Sequence, residues 1–156
     1  VMSKLFIFNI VSLAFILIIS AVILFPLFPL FPYLSFFVDN YLVWIVFLIL
    51  VKDIFFTKFS FYANTIIPKV ILIVLMIPLF LYLIDKLYDF QSFLDEEGLQ
   101  LSLLNEDFSY SEISFWEKYL RLEYLFALVG GLVSTIVFPI KLIYSIWVKI
   151  NKNKNV

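Results

Sequence analysis

Apolar residues run along this chain in long blocks rather than in a sustained alternation, and the blocks are of membrane-crossing length. A helix needs about 20 mostly apolar residues to cross the hydrocarbon layer of a bilayer. From Leu5 to Val38 no residue is charged, which is more than one crossing requires. Pro26, Pro29 and Pro32 (FPLFPLFPY) occupy the second half of that block, and each removes a backbone donor and disfavours helix in the residue before it. The pattern predicts a first helix over 5–25. It also predicts an apolar, aromatic, Pro-rich connection at the membrane interface over 26–35, because unpaired backbone groups facing lipid are too costly.

A second crossing is expected over 36–56, a third over 65–84 and a fourth over 124–148. The second has a short charge-free core, Asn40 to Val51, lengthened by Lys52, whose stem can carry the ammonium to the headgroups. The third carries Pro68 in its first turn and Pro78 further on, where a kink is expected. The expected fold class is therefore all-α: a single polytopic membrane domain over 1–156 with about four transmembrane helices. A removed signal peptide is the competing reading of the first 25 residues, since Lys4 precedes the apolar run. That run is too long for a typical signal core and no small-x-small cleavage pattern follows it, so retention is expected.

Residues 85–123 break the pattern, with ten acids (Asp85, Asp89, Asp95, Glu96, Glu97, Glu106, Asp107, Glu112, Glu117, Glu123) against Lys86, Lys118 and Arg121. The part from 85 to 110 is too polar to span and too apolar to be a solvated tail, so it is expected to dock on a partner or on the membrane surface. Ser111 or Ser114 offers a helix start, Ser114 and Glu117 have capping-box spacing, and Ile113, Trp116 and Leu120 share a helical face. These features predict an interfacial helix that turns into the fourth crossing. With four crossings, Lys4, the group Lys52, Lys58 and Lys69, and the group Lys141, Lys149, Lys152 and Lys154 all fall on one side, with the acidic segment on the other. The positive-inside rule then places both termini in the cytoplasm, or in the matrix of a mitochondrion.

Composition sharpens what chemistry is open. The chain is 64% hydrophobic with a mean hydropathy of +1.08 and has no His and no Cys. Without them the usual ligation of haem, copper, zinc or an iron–sulfur cluster, and Cys–His or Ser–His catalysis, fall away. No catalytic, cofactor-binding or metal-binding residue is expected, and no cofactor. A net charge of -1 gives no reason to expect nucleic acid. Asp95, Glu96 and Glu97, and Glu106 with Asp107, read as a solvated acidic face, and no carboxylate is expected in mid-membrane. Lys52, Lys69, Trp116 and Arg121 stand near predicted helix ends, where anchoring at the lipid interface explains them, and Arg121 can also meet a phospholipid headgroup. Lys52 and Asp53, being adjacent, point to different helix faces, so no ion pair between them is expected. Gly130 and Gly131, with Ser134 nearby, form the most plausible helix-packing seam, against a reading in which they only bend the helix.

Twenty Phe stand against four Ala (Ala14, Ala21, Ala63, Ala127) and three Gly, an excess of residues with AT-rich codons, and the chain opens Val1-Met2, as a GTG initiator translated literally would. In this the chain resembles the small hydrophobic proteins encoded in AT-rich mitochondrial genomes of protists, ciliates among them; the resemblance is compositional, covers the whole chain and carries no family motif. It implies a subunit of a respiratory-chain complex or of ATP synthase, in the mitochondrial inner membrane. Haem-bearing roles need His, and no lone mid-membrane arginine of the ATP synthase a-subunit type is present. A diverged sixth membrane subunit of NADH dehydrogenase is similar in length and helix count, but its glycine-rich kinked third helix has no counterpart here. The leading expectation is a non-catalytic membrane subunit, partnered by other membrane subunits and phospholipid. The alternatives are that diverged core subunit, a small transporter or channel suggested by the proline-broken helices, and a bacterial inner-membrane protein, either an enzyme or a toxin-immunity protein.

Overall fold

The computed structural model describes residues 2–99, 103 and 107–152; Glu106 and Lys154 lie outside them. Among the described residues the chain is helical and contains no strand. We label the long helices α1 (Met2–Leu24), α2 (Phe37–Phe56), α3 (Ile67–Glu96) and α4 (Tyr110–Lys152). They run alternately up and down. Asn9 of α1 lies beside Lys52 and Phe59, and Tyr41 of α2 reaches back to Leu17 of α1. Asp39 of α2 pairs with Lys86 of α3, and α3 descends against α4 from Phe90 beside Tyr124 to Lys69 beside Ser145. One end of the bundle thus collects Asn9, Lys52, Lys69 and Lys149, and the other Asp39, Lys86 and Glu123.

Among the described residues three helices are long and apolar enough to cross a membrane, lying within Lys4–Leu30, Ile67–Glu96 and Tyr110–Asn151. By length and composition this is an integral membrane protein. The second helix, α2, falls short of that standard because any stretch of 18 residues within it contains Asp39, Lys52 and Asp53 together.

α1 ends before the first proline, and the FPLFPL repeat forms a 3₁₀ helix, Phe25–Leu30. The fit is arithmetical. A 3₁₀ helix has three residues per turn, so a three-residue repeat gives three constant faces. Leu27 and Leu30 are wholly buried, while Phe25, Phe28 and Phe31 all point outward. The leucines join Leu34, Val43, Trp44, Phe90, Trp116, Leu120 and Tyr124 in the main core, which fills the acidic end of the bundle. A smaller cluster of Leu50, Tyr62, Met76, Phe138 and Leu142 fills the lysine end.

In the polar segment helix does not end where the expected crossing, 65–84, ends: α3 continues unbroken to Glu96. Charged residues are compatible with helix once the chain has left the hydrocarbon, and here Lys86 supports the extension by bonding Asp39 at 2.9 Å and Asp89 at 3.7 Å. Nor does a separate interfacial helix turn into the last crossing: α4 is one helix of 43 residues, about 64 Å long at 1.5 Å per residue. Its start lies earlier than Ser111 or Ser114. Ser109 caps it, the Glu112 backbone N–H donating to Ser109 Oγ at 3.3 Å while Glu112 Oε2 accepts from the Ser109 N–H at 2.9 Å, a reciprocal capping box. The face Ile113–Trp116–Leu120 turns inward to the main core rather than to a membrane surface.

Candidate functional site

The tightest polar constellation joins α2 to α4. Continuing the stripe Ile113, Trp116, Leu120 by three more residues brings Glu123 onto the buried face of α4, where it is 7% exposed. On α2, Asn40 and Trp44 are one turn apart and share a face. Asn40 Nδ2 donates to Glu123 Oε1 and Trp44 Nε1 donates to Glu123 Oε2, each at 2.5 Å. Both carboxylate oxygens are therefore held, and by different donors. Aromatic rings wall the group off: Trp44 packs on Phe47 and Phe126, and Tyr124 on Phe36 and Phe90. Asn40 Oδ1 is buried and meets no partner among the described residues. Glu123, one of the ten acids of the 85–123 segment, thus lies inside the bundle, a placement that its charge alone does not announce.

Close beside it, Asp39, Lys86 and Asp89 line an open cleft of about 370 Å³ between the start of α2 and the extension of α3. The Lys86 ammonium also stands 5.6 Å from the centre of the Tyr82 ring. Opposite charges on two helices, neutralised across the gap, fix the antiparallel register of α2 and α3 in the same way that Glu123 fixes α2 against α4.

The lysine end holds a second set of ties. Lys69, expected at the lipid interface, is 1% exposed; its Nζ donates to the Ala63 carbonyl at 2.7 Å and to Ser145 Oγ at 2.9 Å. Lys149 Nζ donates to the Asn64 carbonyl, and Asn9 Nδ2 to the Phe59 carbonyl at 3.1 Å. Three helices therefore clasp the short connection between α2 and α3. Lys52 and Asp53 do form an ion pair, at 2.7 Å, contrary to the expectation from their adjacency; long side chains bridge neighbouring faces once another group fixes one of them. Ser60 Oγ donates to Asp53 Oδ1 at 3.1 Å, and Asn9 Oδ1 accepts from Lys52 at 3.3 Å.

Of the other residues singled out, Trp116 is buried and stands edge-on to Phe108, so it is a core residue rather than a lipid-facing anchor. Arg121 is exposed. Gly130 and Gly131 lie where helices come close: a Cβ on Gly130 would stand 2.6 Å from the Phe47 ring of α2, and one on Gly131 would stand 3.1 Å from Leu83 of α3. Ser134 and Thr135 are buried one turn on, with Thr135 Oγ1 bonded to the Leu132 carbonyl at 2.7 Å. Among the described residues no group of three or more acids could hold a metal ion. No family model matches the chain, and neither a curated protein nor a solved structure is significantly similar to it.

Proposed function

We propose that this chain is a non-catalytic membrane subunit of a larger inner-membrane assembly, crossing the bilayer four times with its lysine end and its acidic end on opposite sides. The observation that carries this reading is the use made of the interior polar groups. Both oxygens of Glu123 are taken by α2, and the ammonium of Lys69 by the 57–66 connection and α4. Ionisable groups buried in a membrane protein commonly serve transport or proton relay; here they act as ties between helices.

α2 qualifies as the fourth crossing on the same grounds. Its Asp39 and Lys52 are about 20 Å apart along the axis, less than the hydrocarbon thickness of about 30 Å. Isolated charges so placed would be costly, but Asp39 is paired with Lys86 and Lys52 with Asp53. Outward, α1 and α3 present almost unbroken apolar faces, including Phe6, Ile10, Phe15 and Ile18 on α1 and Val70, Val74, Ile77 and Leu81 on α3.

The acidic end supplies the partner surface. α3 and α4 are about 45 and 64 Å long and so extend beyond the bilayer, packed together through Phe90, Trp116 and Leu120. Asp85, Asp89, Asp95, Glu96 and Glu97 face outward from that extension, a surface complementary to a basic patch on a neighbouring subunit. The compositional resemblance favours a respiratory-chain complex of the mitochondrial inner membrane as the assembly. Gentle solubilisation followed by native electrophoresis tests the reading. The chain should migrate with a particle many times its 18.4 kDa mass, whereas a free monomer would contradict it.

A further inference from the structure

At the lysine end a recess of about 350 Å³ opens between the 57–66 connection and the last turns of α4. Lys58 and Lys141 stand on its rim, both exposed. Asn64, Ser145 and Tyr144 complete a polar wall, and the buried Lys69 ammonium lies behind it, bonded to Ser145 and to the Ala63 carbonyl. Among the described residues the ion pairs are Lys52–Asp53, Lys86–Asp39 and Lys86–Asp89, so Lys58, Lys69, Lys141 and Lys149 take part in none. Two exposed cations thus line one hollow, with Lys69 and Lys149 bonded to its walls, and among the described residues no carboxylate pairs with any of the four. Directly beside the hollow, Ile140, Ile143, Tyr144 and Trp147 form an exposed apolar face on α4, with Tyr144 and Trp147 stacked at 6.3 Å between ring centres.

We propose that this recess binds the phosphate headgroup of an anionic phospholipid, with an acyl chain lying along the Ile140–Trp147 face. Basic pockets between helices on the positive side of a membrane protein suit such headgroups. The volume is that of a small-ligand site, the cations supply charge-assisted hydrogen bonds to phosphate oxygens, and the aromatic pair sits at the level where Trp and Tyr gather in membranes. The apolar strip is what separates a lipid from a free phosphate, which would need only the lysines. The proposal rests on the membrane placement of the helices and not on the partner assembly, so a chain that ran as a free monomer would still show the site.

Trp147, 60% exposed beside the recess, is a built-in reporter. The full-length chain in neutral detergent micelles is titrated with phosphatidylglycerol brominated on its acyl chains, and separately with phosphatidylcholine carrying the same chains. Phosphatidylglycerol should quench the indole at the lower lipid fraction. The double variant Lys58→Gln/Lys141→Gln should weaken that preference about 30-fold, while Lys58→Arg/Lys141→Arg retains it and Lys118→Gln, at the opposite end, leaves it unchanged. Circular dichroism of each variant checks that the helices are intact. Equal quenching by the two lipids, or a preference that survives the double Gln variant, overturns the proposal. So does lysine-dependent binding of inorganic phosphate without any lipid preference, which would reassign the recess to a soluble anion.

Discussion

At Glu123, the position of one side chain decides what the acidic segment is. Replacing it with Leu leaves Asn40 Nδ2 and Trp44 Nε1 without acceptors inside the bundle, each at a cost of about 1–3 kcal/mol. Glu123→Gln keeps one acceptor and should lose about half as much. Equilibrium unfolding in mixed micelles ranks the two, and equal stability of Glu123→Leu and the parent chain would remove the tie from the account. The glycines give a second test. Gly130→Ala drives a methyl into the edge of the Phe47 ring and should cost about 1–3 kcal/mol, and Phe47→Leu in the same chain should recover much of it. Gly131→Ala meets only the end of the Leu83 side chain and should be milder. The sequence marked Gly130 and Gly131 because small residues permit close approach. It did not mark Glu123, because its donors lie on α2 about 80 positions earlier, and a hydropathy count records charge without recording which face carries it. The available signal was the stripe 113, 116, 120, which lands on 123 when continued.

Elements follow local rules more closely than their membrane labels do. The FPLFPL segment was legible as an interruption, but its helical form came from matching a three-residue repeat to a three-residue turn, with leucines inward. α3 ran past its apolar stretch because hydropathy marks where a helix leaves the hydrocarbon and not where it stops being helical. The start of α4 is ambiguous in sequence for a similar reason: Ser109-x-x-Glu112 and Ser114-x-x-Glu117 have the same spacing, and the burial of Ile113 and Trp116 in the core favours the earlier one. Ser109→Ala should therefore cost about 1 kcal/mol and raise hydrogen exchange in the first turn of α4. Ser114→Ala, well inside the helix, should change neither. The burial of Lys69 leaves no signal in sequence, since Ser145 is on another helix and Ala63 offers only its carbonyl.

For the whole molecule, an alternating bundle with its charges sorted by end accounts for the lysine distribution, the paired charges of α2 and the acidic extension together. The number of crossings turns on α2, the one long helix whose charge content keeps it from qualifying on apolarity. The chain has no cysteine, so single thiols can be placed at will. Ser35→Cys and Asn64→Cys, exposed before and after α2, are each probed with a membrane-impermeant maleimide in sealed vesicles of known orientation. The account predicts that the two label from opposite sides, with Asp95→Cys matching Ser35→Cys. Labelling of 35 and 64 from the same side would mean that α2 does not cross, and would contradict it.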